Sequence, residues 1–384
     1  MDFELDEDQH GLQAAAADTL AKACPPTYLR SVVDEGHDPV ELWRTLTSLD
    51  WPVLAVPEED GGAGATAMEL AIVHEQLGYV ADPTPFLPTT TQLLPVVLAA
   101  GDAAQRTRFV AAVAGGTTGT LALAGARGRW DTSAPPVTAE RAGDGWQLSG
   151  TAHYVVDGDR VDEIAVLAST PGGSQAFVVP ATQVTATQTG SFDVFEHVAD
   201  VTFDGATVDD DRRLNGDGEA AFTRALEDAA GGLAMVMVGA CQRALDIVID
   251  YAKRREQFGV PIGSFQAVKH KAVDVHVAIE RARALAYFAA LTAAEGDPRR
   301  ALAAAMAKAA AGDMQNIAFR HCIQLFGGLG FTWENDVHLF LRRAKAGELL
   351  FGGAREHRGR VGRELLTGPL RPHEVVHAPQ GGEQ

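Results

Sequence analysis

The chain has 384 residues, 46% hydrophobic and 22% charged, the make-up of a globular protein with a large core, which excludes a disordered or fibrous one. Its 51 acidic residues against 32 basic give a net charge of -19, so no basic excess exists to neutralise a nucleic-acid backbone. Cys24, Cys241 and Cys322 lie far apart with no CxxC pairing and read as small apolar fillers in a reducing compartment, not as disulfides or metal ligands.

The opening MDFELDEDQH is acidic where a signal peptide would be basic and then apolar, and no uncharged apolar stretch reaches membrane-spanning length; a cytoplasmic location without membrane contact is expected. Helical periodicity predicts helices over about 6–23, 38–48, 66–78, 90–100 and 102–113, the last capped by Asp102. Residues 1–115 are therefore expected to form an N-terminal helical domain. Within it, Gly61-Gly62-Ala63-Gly64 follows PEED rather than a strand and reads as a turn sooner than as a phosphate cradle.

Over 116–215 the texture changes to short alternating runs such as WQLSG, EIAVLAS, QAFVVP and HVADVTFDG, which predict a small antiparallel barrel or sandwich ending near Leu214. From 216 the helical period returns and persists toward 384. A long helix from Gly218 should stop near Gly259-Val260-Pro261; Ser264 should cap a second; Asp297-Pro298 should open a third, ending at Gly327-Gly328-Leu329-Gly330; a fourth should span Asp336 to Leu350. The fold class is α+β, mainly α: a helical domain, a β domain, and a C-terminal four-helix bundle with a tail.

No GxSxG, HExxH, Walker loop or strand-following GxGxxG is present, and no metal site is expected. YAKRREQFGVPIGSFQAVKH, Tyr251 to His270, joins a helix end carrying Arg254 and Arg255 to a helix start. That pairs guanidinium forks with free N–H groups and a dipole suited to an anion, although a solvated basic face fits these residues equally well by themselves. His321 and His338 read as packed or solvated histidines, Met235 and Met237 as core, Trp333 and Glu334 as support for the bundle, and Arg342, Arg343 and Lys345 as a solvated or intersubunit face. In GELLFGG, 347–353, Gly352 reads as a helix end.

Tyr251 to Gln266 closely resembles the acyl-CoA dehydrogenase signature YAxxRxxFGxPI followed by FQ. Gln324-Leu325-Phe326-Gly327-Gly328-Leu329-Gly330-Phe331-Thr332-Trp333-Glu334 resembles that family's QxxGGxGYxxE, and VPEEDGGAG at 56–64 its PEExGGxG, so the resemblance spans the chain. It implies the acyl-CoA dehydrogenase fold, FAD, and α,β-desaturation of an acyl-CoA thioester in fatty-acid or steroid side-chain β-oxidation. A carboxylate takes the α-proton and the β-hydride passes to the flavin; an electron-accepting flavoprotein and a dimeric or tetrameric assembly are further implied partners.

In the family FAD lies across a dimer interface, which divides its binding residues in two. Those implied to reach a neighbour's flavin are kept: Arg255, Gln257, Phe258, Phe265, Gln266, Gln324, Gly327 and Gly328. Those serving the chain's own flavin are not. The TEPxAGSD loop falls on LALAGARGRWDTS, 121–133, and the Trp-Ile-Thr segment on Tyr154-Val155-Val156. The catalytic Glu-Gly-Thr falls on Phe351-Gly352-Gly353, so no base stands at the usual position.

Family members with the base on the long helix would carry it at Ala229. Glu227 and Asp228 lie beside that position, and Asp228 reaches the same pocket only through a shifted or bulged helix; a carboxylate near a helix N-terminus is the more ordinary reading of both. The chain thus resembles the degenerate subunit of actinobacterial heterotetrameric acyl-CoA dehydrogenases. The alternatives are a self-sufficient homo-oligomeric dehydrogenase using Asp228 or Glu227, a non-catalytic acyl-CoA- or partner-binding protein, and a flavin enzyme of the same fold oxidising a nitrogen centre.

Overall fold

The computed structural model describes residues 5–367; the sequence-predicted tail beyond lies outside them. The N-terminal helices are α1 (Glu7–Ala23), α2 (Pro26–Glu35), α3 (Val40–Ser48), α4 (Ala67–Tyr79), a short α5 (Phe86–Pro88), α6 (Leu94–Ala100) and α7 (Ala103–Ala114). Asp6, Thr66 and Asp102 each close a capping box that starts α1, α4 and α7. Sequence periodicity passes over α2 because Pro25-Pro26 looks like a break, whereas Pro26 sits in the first turn, where its missing N–H costs nothing.

A π turn, Thr89–Leu93, joins α5 to α6 just before Pro95, which cannot donate to the ladder. The hydroxyls of Thr89, Thr90 and Thr91 donate to the carbonyls of Pro85, Phe86 and Leu87 and hold this stretch helical.

The β domain holds β1 (Gly119–Ala122), β2 (Val137–Ala142), β3 (Gly145–Val156), β4 (Glu163–Thr170), β5 (Gly173–Pro180), β6 (Thr185–Thr189) and β7 (Val198–Asp209). They form one curled sheet in the order β1-β4-β2-β3-β7-β6, with β5 added to β4. Pairing is antiparallel as expected for β2–β3, β3–β7, β4–β5 and β6–β7, while β1–β4 and β2–β4 run parallel. Leu148, Phe177, Val201 and Phe203 fill one face. A register shift between Ala152 and Val155 turns Tyr154 out of the ladder with φ 56°.

The C-terminal part is α8 (Gly218–Arg254), a tight hairpin of β8 (Glu256–Gln257) and β9 (Val260–Pro261), α9 (Gln266–Ala294), α10 (Arg300–Phe326), α11 (Val337–Leu349) and α12 (Ala354–Thr367). Two expected caps are corrected. Ser264 donates to the Pro261 carbonyl, leaving Phe265 at the start of α9 with no side-chain cap. Asp297 accepts from the Arg299 N–H in a turn before α10, whose first residue is Arg300. α12 extends the expected four helices to five, its polar sequence having hidden it.

α8 is the central element, packed against α4, α9, α10 and α11. Its hydropathy, 1.6 over the best window, would suit a membrane span, yet 67% of that window is buried by the protein's own helices. The approach of α4 and α8 needs glycine on both sides: a Cβ on Gly78 would stand 2.1 Å from the Val236 carbonyl oxygen, and one on Gly239 2.0 Å from that of Glu75. Met235, Met237 and the three free cysteines are buried as expected. Arg343 is a correction: it is buried, donates to Asp193 at 2.6 Å and to the Asp82 carbonyl at 2.7 Å, and so ties α11 to both other domains.

Candidate functional site

α11 ends at Leu349, and the chain turns through Leu350, Phe351 and Gly352 into α12. Gly352 takes φ 92°, but Phe351 is itself left-handed at φ 54°, a costly conformation for an aromatic residue. The buried surroundings impose it. Lys308, fully buried on α10, donates from Nζ to the carbonyls of Glu348 and Gly352, both at 3.0 Å. The Nε2 of His357 lies 2.9 Å from the Phe351 carbonyl, which can only accept, so the proton is on Nε2. Burial pushes Lys308 down to about 7, with Glu348 and Glu196 pulling it back up. Burial and then Lys308 push His357 down to about 4.

The Phe351 side chain is 7% exposed, and its ring lies 5.5 Å from that of Trp130, centroid to centroid. Trp130 comes from the 121–133 segment after β1 and lies 6.5 Å from Tyr154, so the three places where the chain departs from the family pattern meet as one aromatic cluster. The rings at its centre can accept no proton.

Asp228 and Glu227 are elsewhere. Arg300 at the start of α10 donates to Asp228 at 2.5 Å and to Glu227 at 3.2 Å. Burial raises both carboxyls, and Arg300 is the leading opposing influence in each. Both line a cavity whose walls include neither Ala229 nor Phe351.

The other group of residues lies at an open end of the bundle. Tyr251 stacks on Phe326 at 4.1 Å and 17°, holding the last turns of α8 and α10 side by side. Arg255, Gln257, Phe258, Phe265, Gln266, Gln324, Gly327 and Gly328 are all exposed there. Phe258 is 93% exposed and meets Phe265 edge-on at 6.1 Å. Among the described residues, Arg255, Gln266 and Gln324 have no side-chain partner. With the uncapped start of α9, they form a set of donors suited to an anion such as a diphosphate.

Sequence reasoning missed Trp130, Lys308 and His357. Lys308 left a signal, a single charge in the alanine run AAAMAKAAAG; Trp130 left only an aromatic in a polar loop, and His357 none.

Residues 6–117 match the family model described as "Acyl-CoA dehydrogenase, N-terminal domain" and residues 216–366 the one described as "Acyl-CoA dehydrogenase, C-terminal domain". The chain is 31% identical to the acyl-CoA dehydrogenase IpdE2 of Mycobacterium tuberculosis over 94% of its own length and 99% of that protein's. A solved structure of the ChsE4-ChsE5 complex from the same organism superposes with a TM-score of 0.86 at 28% identity, over 96% of this chain and 100% of that one. A solved variant of the Tcur3481-Tcur3483 steroid ACAD does so with a TM-score of 0.83 at 30% identity, over 94% and 98%.

Proposed function

Because the chain belongs to the acyl-CoA dehydrogenase family, we propose that it is the subunit without a catalytic base in a hetero-oligomer, where it completes the FAD site of a related, base-carrying partner. FAD, the cofactor of the family, supplies the acceptor for the substrate's β-hydride. Arg255 would pair with diphosphate oxygens, the first N–H groups of α9 and the amides of Gln266 and Gln324 would add hydrogen bonds, and Gln257, Phe258 and Phe265 would flank the rest. Gly327 and Gly328, without side chains, would let the backbone approach closely.

The observation that carries this reading is the sorting of the two groups. At the position of the usual base stands buried Phe351, packed against Trp130 beside Tyr154, while the residues that would serve a neighbour are exposed, with Arg255, Gln266 and Gln324 lacking any side-chain partner among the described residues. A self-sufficient enzyme using Asp228 or Glu227 has less support, since Arg300 already engages both carboxylates. Likeness to a ChsE4-ChsE5 complex and to a steroid ACAD favours a bulky acyl-CoA, such as a steroid side-chain thioester, as the partner's substrate. A cytoplasmic location and re-oxidation by an electron-accepting flavoprotein belong to the same proposal.

The test is expression of the chain alone and together with a related dehydrogenase chain, with flavin absorbance and acyl-CoA turnover as readouts. A colourless, inactive chain that joins a yellow, active complex is expected. Arg255→Ala in that complex should weaken flavin retention about tenfold or more, the loss of a charge-assisted hydrogen bond. A yellow, active protein made alone overturns the proposal, and a complex indifferent to Arg255→Ala removes the role given to the exposed group.

A further inference from the structure

Five helices, α4, α6, α8, α9 and α10, together with the connection 52–66 and the π turn, line a cavity of about 600 Å³, partly open to solvent, that neither the aromatic cluster nor the exposed end of the bundle uses. Its walls on α8 are Arg224, Glu227, Asp228, Gly231 and Gly232. At 100° per residue these lie on a different side of the helix from Ala225, Ala229 and Leu233, so the space is distinct from the one beside the usual base position. The sequence makes the room: Ala286, Ala289, Ala290 and Ala293 recur at helical spacing on α9, so one face of a long helix presents only methyl groups, and Leu94 and Leu98 face them across the gap. Its volume falls within the roughly 300–1,000 Å³ range of small-molecule sites.

Ionic groups gather where the helix ends meet: Arg300 with Glu227 and Asp228, and Arg106 with Asp60 at 2.8 Å. These charges satisfy one another, while Arg224 and Glu59 also line the cavity, exposed and with no ion pair among the described residues. The apolar interior holds one polar atom that is not satisfied. His74 on α4 is 2% exposed, and its Nε2 lies 3.1 Å from the Thr90 hydroxyl. That hydroxyl donates to the Phe86 carbonyl at 2.9 Å, so Nε2 carries the proton and donates to Thr90, leaving Nδ1 with a bare lone pair. Nδ1 has no partner among the described residues, and His74 lines the cavity. Phe86 packs edge-on against the ring at 5.6 Å and fixes its direction. A Cβ on Gly232 would come within 3.2 Å of Nδ1, so glycine keeps this approach open. Burial drives the His74 ring down to about 3, so it stays neutral and remains an acceptor at any ordinary pH.

We propose that this cavity binds an uncharged, largely hydrocarbon molecule bearing a hydroxyl at its inner end, which donates a hydrogen bond to Nδ1 of His74. The alanine and leucine walls take the hydrocarbon; the wall charges without an ion pair, Arg224 and Glu59, are exposed to solvent, whereas His74 is buried and neutral.

The experiment is calorimetric titration of the full chain, alone or in its complex, with octan-1-ol and with its isomer heptyl methyl ether, which has the same atoms but no hydroxyl proton. The readout needs neither flavin nor turnover, so it is independent of the subunit role proposed above. Octan-1-ol should bind about tenfold more tightly than the ether, the difference expected for one hydrogen bond to a buried acceptor. Ala290→Phe should abolish binding of both, and His74→Phe should make the two equal. No binding of either probe, equal affinities in the unmodified chain, or full binding by Ala290→Phe would overturn the proposal. Should His74→Phe fail to fold, the ratio of the two probes on the unmodified chain still decides.

Discussion

Phe351 and Phe258 hold the same left-handed backbone conformation, φ 54° and 55°, and meet opposite fates: one is 7% exposed and the other 93%. Around Phe351 the carbonyls are engaged by Lys308 and His357 and the ring by Trp130. Near Phe258 the side chains of Arg255, Gln266 and Gln324 stand without partners among the described residues, and the Phe258 ring, edge-on to Phe265, otherwise faces water. A strained residue persists only where its surroundings over-determine it. At Phe351 buried surroundings meet that condition, whereas at Phe258 the two-residue turn of the β8–β9 hairpin meets it, Gly259 being left-handed as well; it is the exposed ring of Phe258, not its backbone, that points to a missing surface.

The sharpest way to break that contrast is Phe351→Glu. If only a base were lacking, this substitution would restore turnover to the isolated chain. If the region is closed, it places a charged carboxylate in the buried space that the Phe351 ring fills against Trp130. We expect a loss of about 4 kcal/mol in denaturant unfolding and no turnover. Lys308→Met comes next: it fills similar space but orphans two buried carbonyls, for about 3 kcal/mol, and should loosen the Phe351 turn without touching the exposed end of the bundle.

A pH titration probes the same turn. The unfolded chain protonates His357 near pH 6.5 and the folded chain only near pH 4. Between these values the unfolded state binds more protons, so stability falls as pH falls through the window. His357→Gln keeps a donor to the Phe351 carbonyl and removes the titration. Unfolding free energies measured at pH 6.5 and pH 4 should then differ by about 2 kcal/mol less than in the unmodified chain. His74 adds an acid slope of its own, but it is present in both proteins and cancels.

How far the sequence reveals this depends on the range of the forces. The three-part architecture was readable because period and punctuation are local: capping boxes at Asp6, Thr66 and Asp102, alternation in β3 and β7, and the unbroken apolar face of α8. α2 and α12 were missed where a proline pair and a polar composition mask a helix that tertiary packing supports. At the site, the motif residues could be named, but their grouping could not. Nothing near Phe351 in sequence says that Trp130, more than two hundred positions earlier, will cover its ring, or that Arg300 will hold Asp228 and Glu227. Arg343, surrounded by other basic residues in sequence, reads as surface because its partner Asp193 is supplied by another domain.

The smallest expected effect is also the cleanest separation of the two regions. Phe258 combines an exposed ring with a backbone conformation that asparagine adopts far more readily. In the isolated chain Phe258→Asn removes no buried contact and eases the strain, so its stability should stay within about 0.5 kcal/mol of the starting value or rise slightly. If the ring belongs against a neighbouring subunit, the same substitution should weaken assembly, read by sedimentation of the co-expressed complex. A fall in the chain's own stability would place the role of Phe258 inside this protein, and the contrast with Phe351 would then lose its meaning. Unchanged stability with weakened assembly would assign the exposed ring of Phe258 to a surface that only a partner completes.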